Sequence, residues 1–368
     1  MDLAAQKRRV GEGVDARAAA LDRLALEIHG HPELAFEERF AAEGLTKLLE
    51  SEKVDVRRGV GGLETAFVAE AGAGEPVVAI LGEYDALPGL GHACGHNLMG
   101  TAAIGAFLAL RDAADGMRGR IRIVGCPAEE RGGGKVFLIR AGVFADVTAA
   151  LMYHPGDRDE LDPLMLAMVS LEIELAGKAA HAAAEPYEGV NALDGLLLGW
   201  NAMSAMRLLI RSDSRVHGII TDGGKAPNII PDRAAARLMV RSPDNAYLAD
   251  LRRHVCEVVT TNRPLAEAFA ANAKALGRAM QPRRPADTHG STDMGNVTTV
   301  VPGIHPFLSI TDGPVPGHSI AFTEAARSPR ALETMHLAAK ALAMTALDVL
   351  ADPGLAKRAK EAHNGHKI

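Results

Sequence analysis

Ligand-type and acid–base side chains gather at four places in this chain of 368 residues: Cys94 and His96 in GHACGHN, Glu129 and Glu130 in PAEE, His154, and His318 in GHS. Thiolate, imidazole and carboxylate together are the donor set of zinc or a similar borderline ion. Cys94 and His96 stand two positions apart, so they would not share a helix face. In a strand or turn they can clasp one ion or sit between two. Glu129 and Glu130, if extended, point to roughly opposite sides, so one can bind metal while the other faces a water. That division suits hydrolysis: the metal lowers the pKa of water, and a free carboxylate takes the proton.

Singly, these residues have ordinary readings. A lone histidine is usually a surface or core residue, and a Glu-Glu pair is usually a solvated face. Cys126 and Cys256 read as core positions. The weight lies in four segments coinciding, and in the crowding of Cys, His and Gly at one turn. Rival chemistries lack their signatures: there is no G-x-S-x-G and no H-E-x-x-H, and the glycines of 59–62 and 132–134 do not form a nucleotide-binding pattern.

The elements that must position these residues follow from apolar spacing. Leu21, Leu24 and Ile28 share one helix face. A second helix after Pro32 should use Phe36, Phe40, Leu45, Leu48 and Leu49. Short apolar runs at 77–81, 121–124 and 149–153 read as strands. Between the first two lies a buried helix with Asn97 as its cap. Alternating strands and helices predict an α/β domain with a largely parallel sheet. Each chemical segment then falls just past a strand's carboxyl end, where ligands bind in such sheets. Near residue 165 the texture changes. A half-exposed strand, a long helix over 189–210, two more strands and a helix over 245–258 predict a small antiparallel sheet inserted into the first domain. The last helix should begin at Pro329, capped by Ser328, and stop at Asp352-Pro353-Gly354.

Composition excludes some partners. The net charge is −6 and aromatic residues make up 4%, which argues against a nucleic-acid surface. The amino terminus has no apolar run behind its basic residues, and no stretch is expected to approach the ~20 apolar residues of a membrane span. Three scattered cysteines suit a reducing cytoplasm rather than a disulfide framework.

At GHACGHN the chain resembles the zinc aminoacylase and carboxypeptidase family, in the branch of auxin-conjugate hydrolases and p-aminobenzoyl-glutamate hydrolase. The likeness continues in order through IHGHPELAFEE, GEYDALPGLGHACGHN, CPAEE, ALMYHPGD, GKAAHAAAEPYEGVNALDG, GGKAPNIIPD, STDMGNVTTVVPGIHP and GHSIAFTEAA. It implies two divalent ions, zinc with manganese or cobalt as substitutes, held by Cys94, His96, Glu130, His154 and His318. It implies Glu129 as general base and Asp85 as the residue orienting the first ligand. Glu83 stands where many relatives carry a metal-binding histidine.

The resemblance further implies a catalytic domain over 1–164 and 262–368, with a mixed, mostly parallel sheet and helices on both faces. An inserted α+β, ferredoxin-like lid and dimerisation domain would span 165–261. From it His181 would reach a partner subunit's site to polarise the scissile carbonyl, while Asn228 and Arg241 would hold a substrate carboxylate. The substrate would be an N-acyl amino acid, a dipeptide or an aryl-amide conjugate, and the chain a homodimer or larger homo-oligomer. Relatives have one more lid strand where this chain passes from VVTTN directly to RPLAEAFA, so a shortened lid is expected. A non-catalytic metal-binding or assembly protein is the alternative from another class. Glu129 argues against it, because a purely structural site needs no spare carboxylate.

Overall fold

A computed structural model describes residues 2–114, 118–163, 165–243, 247–248, 261–281 and 292–364. The chain divides into two compact units, Met1–Leu164 with Val259–Ile368, and Met165–Val258.

The first unit opens with three helices, α1 (Leu3–Asp15), α2 (Ala18–Gly30) and α3 (Arg39–Ser51). Leu21, Leu24 and Ile28 are buried on α2 as expected. On α3 the buried positions are Ala41, Ala42, Leu45, Thr46 and Leu49. Phe36 and Phe40 do not serve its core face. Phe36 precedes the helix with φ +67°, and Phe40 stacks half-exposed on His31 with ring centroids 4.1 Å apart.

Strands β1 (Val56–Arg58), β2 (Phe67–Ala73) and β3 (Val77–Glu83) follow, then α4 (His96–Ala113), β4 (Gly119–Cys126), α5 (Gly134–Arg140), β5 (Ala149–Leu151) and β6 (His154–Gly156). Every residue of β3 is buried, and an uninterrupted apolar run is what a strand covered on both faces requires. Helix α4 is capped by Gly95, not Asn97. Asn97 is buried in the first turn, where its amide donates to the carbonyls of Ala25 and Ala326 at 3.2 and 3.1 Å.

In the second unit, β7 (Ala167–Ala176), α6 (Ala192–Met206), β8 (Arg215–Asp222) and β9 (Arg233–Ser242) are described. Asn191 caps α6 through Leu193 N and Asp194 N, so that helix is shorter than the spacing over 189–210 suggests. The strands form an antiparallel sheet in the order β7-β9-β8. Among the described residues it has three strands. The expected helix over 245–258, Cys256 included, lies almost wholly outside the described residues.

The chain returns to the first unit with α7 (Arg263–Ala275), α8 (Met294–Val300), β10 (Gly303–Ile304), β11 (Phe307–Ser309), α9 (Ile320–Ala325), α10 (Pro329–Ala351) and α11 (Pro353–Asn364). The main sheet runs β1-β2-β4-β3-β5-β10. The β4-β3, β3-β5 and β5-β10 pairs are parallel, and β1-β2 and β2-β4 are antiparallel. A separate parallel pair joins β6 to β11. Ser328 caps α10 by accepting from Ala331 N. Contrary to the sequence expectation, α10 has the length and composition of a membrane span. Most of its apolar length is buried inside the fold, and it serves as a core helix packed on α4 and α7.

Candidate metal centre

Strand β3 ends at Glu83, and the chain loops through Asp85 to the turn His92–Gly95 before entering α4. Gly95 has φ +76°, and a Cβ there would lie 2.9 Å from Pro155 Cγ. Only glycine lets this turn approach so closely, and the approach brings Cys94 and His96 up to His154. Cys94 Sγ lies 3.5 Å from His154 Nε2 and 3.5 Å from His318 Nε2. His318 adopts φ +54° and donates its backbone N–H to Ala93 O at 3.1 Å, which ties the GHS segment to the cysteine turn. His318 Nε2 is 3.6 Å from Glu130 Oε1.

Three groups of donor atoms result, each with all its atoms within 4.8 Å of one another: Cys94, His96 and His154; Cys94, Glu130 and His318; and Glu83, His96 and Glu129. The first two share Cys94. All five residues expected as ligands are therefore brought together, with Glu129 beside them.

Several observations fit a divalent cation. His96 Nδ1 faces Asp85 Oδ1 at 2.9 Å, and His154 Nδ1 faces Pro155 O at 2.6 Å. Both nitrogens must donate, which fixes the tautomers and makes Nε2 of each ring the atom that would bind a metal. His96 Nε2 and Glu83 Oε2 face each other at 3.3 Å without a well-formed hydrogen bond, and Glu130 Oε1 is buried without a hydrogen-bond partner, an arrangement that a cation would complete. Burial, then the charge of Glu130, pushes the Cys94 thiol up. Burial, then the charges of Glu83 and Glu130, pushes Glu129 well above the ordinary carboxylate range. A cation at the shared cysteine would reverse that balance, because it would favour thiolate and carboxylate alike.

Reasoning from sequence missed a further layer. Lys135 is fully buried on α5. Its ammonium donates to Glu83 Oε1 and to Asp293 Oδ1 at 2.5 Å, and its backbone N–H donates to Asp293 Oδ2 at 2.9 Å. Burial opposes ionisation of Glu83, but the Lys135 charge with the nearby histidines draws it down to about 2. His305 is also buried and stands edge-on to His154, ring centroids 5.5 Å apart. Burial keeps it neutral by lowering its pKa well below the usual value. Nothing in GGGKVFLIR or GIHP marks these residues, because their partners come from distant segments.

The remaining expected residues belong to the second unit. His181 is exposed and pairs with Ile229 in an isolated antiparallel bridge. Ala182 N donates to Asn228 O at 3.1 Å, so the His181 and Asn228 segments lie side by side. Arg241 sits on β9, opposite Met168 and Arg215. Its Nη2 reaches Met239 Sδ at 3.6 Å.

A partly buried cluster of thiol, imidazole and carboxylate at the carboxyl ends of parallel strands, with a spare carboxylate beside it, defines a metal-dependent hydrolase on an α/β scaffold. Residues 79–347 match the pattern of peptidase family M20/M25/M40, and the chain belongs to that family. It is 39% identical over 393 aligned positions to the Xaa-Arg dipeptidase of Mus musculus, covering 96% of this chain and 91% of that protein. It is 37% identical over 272 positions to one of the subunits of the p-aminobenzoyl-glutamate hydrolase of Escherichia coli, covering 68% of this chain and 56% of that one. The fold matches a dinuclear metal-binding M20 peptidase of Bacillus subtilis with a TM-score of 0.68 at 24% identity, covering 92% of this chain and 99% of that one. The chain is thus a metal-dependent amide-bond hydrolase, and the non-catalytic alternative is not favoured.

Proposed function

We propose that this enzyme hydrolyses the amide bond of a dipeptide, an N-acyl amino acid or an aryl-amide conjugate, and that dipeptides ending in arginine are the first substrates to try. One observation carries the reading: Cys94 Sγ stands at equal distance from His154 and His318, so one thiolate serves two ligand sets. Cys94, His96 and His154 would hold one ion, and Cys94, Glu130 and His318 the other, with zinc the first metal to test and manganese or cobalt as substitutes. Ions there supply the positive charge that acidifies water and polarises the scissile carbonyl. Glu129 takes the water's proton and returns it to the departing amine. Asp85 orients His96 and the backbone of Glu130.

His181 would come from a partner subunit in a homodimer. Its Nδ1 accepts from Ala183 N and Ala184 N at 3.3 and 3.1 Å, so Nε2 carries the proton and can donate to a developing oxyanion. Asn228 and Arg241 would hold the substrate carboxylate. The scattered cysteines support a cytoplasmic setting.

The test is metal depletion, followed by titration with zinc, manganese or cobalt and assay on a panel of Xaa-Arg dipeptides, N-acyl amino acids and p-aminobenzoyl-glutamate. Two bound ions and metal-dependent turnover of one panel class are expected. Full turnover by the metal-free protein would end the reading.

A further inference from the structure

Glu38 is a carboxylate with no exposed surface, far from Glu129 in sequence and without a ligand role. Its Oε1 accepts from the backbone N–H groups of Phe36 at 2.9 Å and Ala128 at 2.8 Å. Its Oε2 accepts from the Thr65 hydroxyl at 2.9 Å. Phe36 and Ala128 have φ +67° and +60°, a left-handed conformation that non-glycine residues keep only when their surroundings hold them there. A single carboxylate oxygen holds both. Ala128 immediately precedes Glu129. On the other side, Glu130 N donates to Asp85 Oδ2 at 2.9 Å. The Ala128 carbonyl also accepts from Gly133 N at 3.0 Å and Gly134 N at 3.3 Å. The backbone on both sides of Glu129 is therefore clamped by a buried carboxylate.

We infer that Glu38 is a positioning residue for the Glu129–Glu130 pair, an inference that rests on the roles proposed for those two. Rotation of Ala128 out of its left-handed conformation would redirect the peptide leading into Glu129, while Asp85 keeps its hold on Glu130 N. The proton-transfer carboxylate and the Glu130 ligand would then lose their relative placement. A buried carboxylate is costly where apolar packing would serve. Its advantage here is a charge-assisted acceptor strong enough to hold two N–H groups from separate loops. The ring of Phe36 reinforces the link by closing over Gly132, where a Cβ would lie 2.4 Å from a ring carbon.

The test compares Glu38→Ala and Glu38→Gln in the full chain. Gln keeps an acceptor oxygen for both N–H groups and turns its amide toward Thr65, whose hydroxyl can accept. Zinc titration of the metal-free protein by calorimetry is the first readout. In Glu38→Ala, the ion held with Glu130 should bind roughly 10-fold more weakly, the low end for a lost supporting group. The ion held by His96 and His154 should bind as in wild type. Turnover should fall at least ~10-fold with KM nearly constant, as for a group acting through the transition state. Glu38→Gln should restore both readouts. Should Glu38→Ala fail to fold, Glu38→Asp, which shortens the reach to Ala128, is read on the same two scales.

Unchanged binding steps and turnover in a folded variant would overturn the inference. Equal weakening of both steps with a lowered Tm would overturn it too, because that is general loosening. The wild type is the control: two binding steps there, together with lost turnover in Glu129→Gln, preserve the underlying reading, so failure at Glu38 alone falls on this inference.

Discussion

Asp85 reaches His96 with one carboxylate oxygen and the backbone of Glu130 with the other. Oδ1 is 2.9 Å from His96 Nδ1, and Oδ2 accepts the Glu130 N–H at 2.9 Å. Residues of both proposed ion sites thus lean on one group. In Asp85→Ala, both donors lose their acceptor. Affinity for both ions should fall by about 10–100-fold, the usual cost of losing an orienting partner. Competition with a chelator followed by elemental analysis measures it. Loss confined to one ion would show that the two contacts do not act together.

Glu129 and Glu130 are neighbours whose proposed roles can be separated. Glu129→Gln should retain its metal and lose at least ~100-fold in turnover, the scale of a missing acid–base group. Glu130→Gln should instead lower metal occupancy. Paired elemental analysis and kinetics distinguish them, and full activity in Glu129→Gln would end the proposed proton transfer.

Cys94 belongs to two donor groups, so Cys94→Ser should weaken both ions together. Titration with a thiol reagent gives an independent check. Cys94 should react slowly in the metal-loaded protein and faster after chelation, while Cys126, which is fully buried, should respond to unfolding alone. Equal Cys94 rates with and without chelator would remove it from the ligand set.

His181→Ala should lower kcat more than KM, because a donor to the oxyanion acts mainly in the transition state. Mixed with Glu129→Gln under subunit exchange, it should regain up to about a quarter of wild-type activity, since about half of randomly formed dimers would carry one intact site of two. No recovery despite proven exchange would place the function of His181 within its own chain or nowhere.

Away from the centre, Arg122 is largely buried and bonds Asp146 Oδ1 at 2.8 Å and Glu70 at 2.5 Å. The hydrogen bond from Arg122 holds Asp146 below its ordinary pKa. A depressed carboxylate stabilises the fold above its unfolded pKa of ~3.9, and that stability is lost as pH falls through the lower folded value. Asp146→Asn should therefore cost about 1–2 kcal/mol at neutral pH, after discounting for exposure. The gap to wild type should close below pH ~4. Denaturant melts at several pH values test this, and a constant gap down to pH 2 would contradict it.

Much of this architecture is legible in the chain itself. The apolar run of β3, the punctuation of α10 by Ser328 and Asp352, and the ligand residues past their strand ends follow from period, capping and residue type. What could not be read depends on contacts between distant segments. Lys135 looks like any helix lysine until Glu83 and Asp293 meet it in the core. Phe36 fits a helical stripe in sequence, yet its N–H is drawn into a left-handed turn by Glu38. Asn97 has the chemistry of a cap, but the turn needs a glycine at position 95 to pass Pro155, and that requirement moves the helix start.

The second unit interrupts the first between Leu164 and Val259. During synthesis, Cys94, His96 and His154 are all added to the chain before the first residue of that insertion. His318 emerges only after the insertion is finished. One proposed ligand set is thus encoded in an uninterrupted stretch, and the other is completed by a late-arriving histidine. A nascent chain therefore holds the proposed donors for one ion well before it holds those for the second, and translation supplies the two sets in that order.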